Sequence, residues 1–207
     1  MTKLNVNPTR MELTKLKKRL KTAEKGHKML KDKSDEMIRQ FMSLVQENKR
    51  LREEVESEYL SALESFIMAR AVSDQATLEE AFILPSVTPE IKITEKSVMN
   101  VIVPKIEIEN EISSLYPYGF IGVTDELDVA VSKMQSLEPK LIKLAEIEKT
   151  CSLLADEIEK NRRRVNALEY VMIPDTQETI KYISMKLDEN ERGNVIRLMK
   201  VKSKIDK

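Results

Sequence analysis

From Leu13 onward, apolar side chains recur at steps alternating three and four: Leu16, Leu20, Ala23, Leu30, Met37, Phe41, Leu44, Leu51 and Val55, with only His27, Ser34 and Asn48 polar on that series. A 3.5-residue repeat held for six heptads is the seam of a coiled coil. The pattern continues less cleanly through Ala62, Phe66, Ala69 and Val72 towards Phe82. Asn7 and Pro8 read as the helix start, with Asn7 as cap and Pro8 at the first helical position. Pro85 and Pro89 end the helix, and the period then falls to two in IKI (91–93), VIV (101–103) and IEIE (106–109). This predicts a β-hairpin turning within Ser97–Asn100, where Asn100 tolerates positive φ. An aromatic connector, YPYGFIG (116–122), leads to Thr124 or Asp125 as the cap of a second long helix.

In that second helix Leu144, Ile147, Cys151, Leu154, Ile158, Asn161, Val165, Leu168 and Met172 repeat the 3-4 spacing, and Ile180, Ile183, Leu187, Leu198, Val201 and Ile205 resume it. Two matching apolar stripes need each other. Because a short insert joins them, they should return antiparallel and bring both termini to one end. The expected fold is mainly α: a long antiparallel two-helix coiled coil of N- and C-terminal helices with a small β-hairpin and irregular insert at the far end. Its segments are 7–84, 85–123 and 124–206, with a kink near Pro174, which removes one backbone donor. If the termini align, Asn48 faces Asn161 and the two polar groups select the register. Leu44 would then lie opposite the Val165 region.

Composition agrees with such a thin core. Of the 207 residues 34% are charged and 4% aromatic, with no Trp and four Gly. Net charge is zero, yet its distribution is uneven. Residues 1–33 hold eleven basic and three acidic side chains, and 158–207 hold twelve and eight, so these parts carry +12 and the stretch between them −12. The lone Cys151 cannot form an internal disulfide and fits a reducing compartment. No apolar signal core and no uncharged run of 18 residues occurs, so neither export nor a membrane span is expected.

Catalytic chemistry is not expected. There is no G-x-x-x-x-G-K-[ST] loop, and one His and one Cys do not make a zinc site, so no cofactor and no metal are assigned. His27 on the seam reads as a packed histidine. The basic groups Arg10, Lys17, Lys18, Arg162, Arg163 and Arg164 have three readings: a nucleic-acid grip, a solvated face, or a socket for a protein. Consecutive arginines on a helix point about 100° apart, so three cannot face one ligand, and few aromatics are interleaved with them. The protein socket is the preferred reading, and no nucleic-acid partner is assigned.

NPTRMELTKLKKRLKTAEKGHKMLKDKSDEM (7–37) and RRRVNALEYVMIPDTQETIKYISMKLDENER (162–192) resemble the two terminal signatures of the D-subunit family of V-type and A-type ATPases in its prokaryotic form, and VMNVIVP and YGFIGVTDELD extend the likeness over nearly the whole chain. At the C-terminus this chain reads GNVIRLMKVK where the family often has more acidic residues. The resemblance implies a non-catalytic rotor shaft, cytoplasmic and peripheral to the membrane through its complex. Its implied partners are the ring of A and B subunits that binds nucleotide, the small F subunit, and a funnel subunit on the membrane side. The six basic residues would then meet the ring. Two alternatives stand beside it: a prefoldin-like chaperone, which would expose apolar helix tips, and a basic helical arm whose affinity for nucleic acid falls steeply with salt.

Overall fold

The computed structural model describes residues 6–83, 90–109, 118–119 and 124–205. The expected breaks at Pro85 and Pro89 and most of the 116–122 connector lie outside them. The chain is mostly helical, with α1 (Arg10–Val72), α2 (Gln75–Ile83), β1 (Ile91–Val98), β2 (Val101–Ile108), α3 (Asp125–Ala167), a π turn (Leu168–Met172) and α4 (Ile173–Ile205). Long helices separated by one small antiparallel hairpin are the architecture that the periodicity predicts. The chain forms two compact units, 1–36 with 158–207 and 37–157.

The helix start differs from expectation. Thr9, not Asn7, is the cap: its Oγ1 accepts the Glu12 amide at 3.2 Å and its carbonyl accepts the Leu13 amide at 3.0 Å. Thr9 and Glu12 have the spacing of a capping box, and Glu12 also places a negative charge at the positive end of the helix dipole. From there every one of the thirteen seam positions Leu13 to Val55 is buried or half-buried, and Leu16, Met37, Leu51 and Val55 are most enclosed.

In the first unit the helices run antiparallel, with Arg10 bonded to Glu191 and His27 Nε2 lying 3.3 Å from Glu169. Ile183, Thr179, Thr176 and Asn161 are buried along this pairing. Thr176 and Thr179 satisfy their hydroxyls on the carbonyls of Met172 and Asp175, at 2.6 and 2.7 Å, so burial leaves neither unpaired.

Pro174 does not stop the helix. Immediately before it the backbone widens into the π turn, where the Ile173 amide donates to the Leu168 carbonyl five residues back. The reason is visible in the seam. Before the turn it runs through Asn161, Val165 and Leu168; after it, through Ile173, Thr176 and Ile183, whereas Met172, which a strict 3-4 step selects, is 38% exposed. One residue is in excess, and a π turn is how a helix absorbs it. Pro174 suits the place because it lacks the donor that an α-helical turn requires there.

In the second unit α1 and α3 are also antiparallel. Leu137 and Leu154 are fully buried, each stabilising by about 2 kcal/mol. Outside the seam Lys140 Nζ reaches Glu54 at 2.6 Å and also Glu58, Lys143 reaches Glu47 at 3.2 Å, and Lys133 donates to the hydroxyls of Ser61 and Ser65 at 3.0 and 2.8 Å. The first long helix does not run unbroken towards residue 84: it ends at Val72. Ser73 and Asp74, whose side chains compete for backbone groups, interrupt it, and Ser73 Oγ meets Thr124 Oγ1 at 3.1 Å. This break lets α2 fold over a small core of Ala69, Leu78, Ala81, Tyr118 and Leu127. There the Phe82 and Tyr118 rings lie 5.8 Å apart, and the Tyr118 hydroxyl donates to Asp128.

The hairpin turns at Met99–Asn100, whose φ values of 52° and 69° are those of a two-residue turn matching the strand twist. Its register pairs Val98 with Val101 and Ile91 with Ile108. Counting from the turn, Pro104 falls opposite Glu95 at a position whose nitrogen points away from the ladder, so proline costs no strand bond. The Ile106 amide points the same way and donates to Glu146 of α3 at 3.2 Å. Val103 is buried, and Ile106 and Ile108 lie beside Pro139 and Ile142.

Candidate partner-binding surfaces

All six predicted basic residues fall in the first unit. Lys17, Lys18 and Arg162 are exposed. Arg10 is tied to Glu191, Arg163 to Glu159 one turn back, and Arg164 donates to the side-chain carbonyl of Asn161 at 3.3 Å. The structure does not gather them into one patch. With His27 facing Glu169, Lys17–Lys18 and Arg162–Arg164 lie on opposite sides of that level, roughly 20 Å apart along the helices. The result is a graded basic surface and not a phosphate pocket.

The two asparagines expected to set the register fall in different compact units. Asn48 lies in the second unit, half-buried between Glu47, which pairs with Lys143, and Arg52, which approaches Glu148 at 4.0 Å. Its opposite segment is therefore near 143–148. Asn161 belongs to the first unit and is buried beside Arg164. Leu44 and Val165 are likewise divided between the two units.

Three further surfaces are not foreseen by the periodicity. α4 continues about four turns beyond Glu191, the level of α1's first residue, and there Val195, Ile196, Leu198, Met199 and Ile205 are exposed. An apolar groove of about 510 Å³ in the second unit is lined by Ala62, Phe66, Phe82, Ala130 and Met134. On the hairpin, Ile91, Ile93 and Ile102 are more than half exposed. Several of these residues, among them Phe66, Phe82, Leu198 and Ile205, keep seam spacing and so look covered in the sequence, yet exposed apolar surfaces of this kind mark interaction sites.

Among the described residues the charged groups that are shifted sit in surface pairs. The Lys140 ammonium bonded to Glu54 holds that carboxyl below its ordinary value, and Glu54 and Glu58 raise Lys140 in turn. Burial pushes the Cys151 thiol up, as befits a filler. No group of three or more His, Cys, Asp or Glu poised for a metal occurs among the described residues, and no helix there is long and apolar enough to cross a membrane.

Residues 12–203 match the family described as the ATP synthase D subunit. The chain belongs to that family. It is 54% identical to a V-type ATP synthase D subunit from Thermoanaerobacter sp. (strain X514) over 208 residues, covering all of both chains. It is 55% identical to a protein of the same name from Clostridium botulinum (strain Alaska E43 / Type E3), covering all of this chain and 99% of the relative. A third, from Clostridium novyi (strain NT), is 53% identical over 211 residues. Although an exposed apolar helix end is also what a prefoldin-like chaperone would show, family membership ties the chain to a V-type ATP synthase, hence to ATP synthesis and ion transport.

Proposed function

We propose that this chain is the non-catalytic shaft of a rotary V-type ATPase, carrying torque between the nucleotide-binding ring of A and B subunits and the ion-translocating membrane sector, from a cytoplasmic position peripheral to the membrane. The observation that carries the reading is the first unit's surface. There the exposed cations Lys17, Lys18 and Arg162 are spread along the helices, and α4 extends beyond α1 with bare apolar side chains. A helix end of that kind needs cover by another protein. Dispersed charge suits a shaft that turns, because a diffuse field attracts a lining of opposite sign without fixing one angle. On this reading the apolar groove of the second unit takes the small F subunit, and the hairpin side meets the membrane-side funnel.

Replacing Arg163 and Arg164 together with Gln tests the ring contact. Assembly with the ring should weaken and its salt dependence should flatten, while helix content by circular dichroism and binding of the F subunit stay unchanged. Ring binding with an unaltered salt slope would remove these arginines from the contact.

A further inference from the structure

The hairpin has one edge that is blocked at its middle and one that is open along its length. Seen from the turn, the pairs Val98–Val101, Lys96–Val103, Thr94–Lys105 and Lys92–Glu107 direct their backbone groups into the ladder, and the Glu109 amide donating to the Glu90 carbonyl at 2.9 Å continues that parity. Ile91, Ile93, Glu95 and Ser97 therefore point their N–H and C=O groups outward. On β2 the middle of the outward edge is dealt with: Pro104 has no donor, and the Ile106 amide is taken by Glu146, which leaves only the outlying Ile102 and Ile108. On β1 no partner for the outward groups occurs among the described residues.

The side chains along this edge have a definite chemistry. Ile91 and Ile93 are 54% and 66% exposed and share a face with Ile102. On the opposite face Lys92 is paired with Glu109 and Lys105 with Glu107, which leaves Lys96, exposed and without an ion pair among the described residues. Lysine on an edge discourages indiscriminate strand pairing, so a strand that does pair here must answer its charge.

We propose that the β1 edge receives an extended strand of another protein in the complex, aliphatic at alternate positions and carrying a carboxylate beside Lys96, making the ribbon a three-stranded sheet. That the partner belongs to the rotary complex rests on the function proposed above; the geometry of the edge does not. The ribbon is anchored for this role, since Val103 is buried and Glu146 holds its other edge.

Residue-resolved hydrogen–deuterium exchange, on the isolated chain and on the purified complex, tests it. The amides of Ile93, Glu95 and Ser97 should exchange fast in the isolated chain and at least ~100-fold more slowly in the complex. Thr94 and Lys96, whose amides point into the ladder, should be protected in both. Unchanged fast exchange in the complex overturns the proposal, and so does slowing in the isolated chain that grows with concentration, which would mean a second copy pairs there. Glu95→Pro against Glu95→Ala gives an independent measure, because Pro104 shows that this ribbon accepts proline at an outward position. The proline variant should assemble about 10-fold more weakly than the alanine variant, at an equal melting temperature. Equal assembly also overturns the proposal. If proline lowers the melting temperature, the exchange measurement on the unaltered chain decides. A chain that never copurifies with the ring tells against the proposed function, whereas a complex that forms with this edge still exchanging tells against the strand alone.

Discussion

Lys140 shows how much a single flank residue can contribute outside the seam. It bonds to both Glu54 and Glu58, and the carboxyl of Glu54 is held below its ordinary 4.5 by that hydrogen bond first and by the Lys140 charge second. A carboxyl with a depressed folded value stabilises the fold above its unfolded value and loses that contribution as pH falls through the folded one. Lys140, raised above 10.5, behaves oppositely: its contribution is present below 10.5 and disappears as pH rises through the raised value. Lys140→Met should therefore melt below the unaltered chain by a constant margin near neutrality. The margin should shrink as pH drops below 4.5, and melting curves at pH 7 and pH 3 check this. Such pairs are not legible in the sequence, where Glu54 and its neighbours read as a solvated face. The seam itself is, because burial at Leu16, Met37 or Leu51 depends only on periodicity. The two asparagines expected to face each other fall in different compact units, a division that spacing along the sequence does not show.

Among the elements, the π turn is the most informative departure from a regular pattern. The stripe before it and the stripe after it are both readable, but the step from Leu168 to Ile180 is twelve residues where a 3-4 series uses eleven. Pro174 signals a kink, and the extra residue is the deeper signal. Removing Val171 together with Pro174→Ala should restore one continuous α-helix with the seam in phase, and melting should match or exceed that of the unaltered chain. Deleting the exposed Ala155 from regular helix should instead rotate Asn161, Val165 and Leu168 out of the seam and lower the melting temperature strongly. Circular dichroism melts of the two deletions compare them directly, and equal losses would mean the π turn is not a phase correction. The hairpin is legible as period-two runs, and its turn falls within the stretch expected. Its edge polarity is not legible, because it depends on the parity counted from Met99–Asn100.

At the scale of the molecule, the charge split seen along the sequence follows the two compact units. Residues 1–36 carry +6 and 158–207 carry +4, so the first unit holds +10 and the second −10. On the proposed function the basic unit sits within the nucleotide-binding ring, and the acidic unit, which bears the hairpin, faces the membrane side. The sequence shows the imbalance but not the bare apolar turns of α4, because Leu198, Val201 and Ile205 keep seam spacing beyond the point where α1 begins. Photo-crosslinking tests the central claim most directly, with the crosslinker placed at Lys204 in one variant and at Val98 in another, each assembled into the complex and its adducts identified by mass. The account predicts that Lys204 labels the A and B subunits of the nucleotide-binding ring and that Val98 labels the membrane-side funnel; the reverse pattern, Val98 on the ring and Lys204 on the funnel, would contradict it.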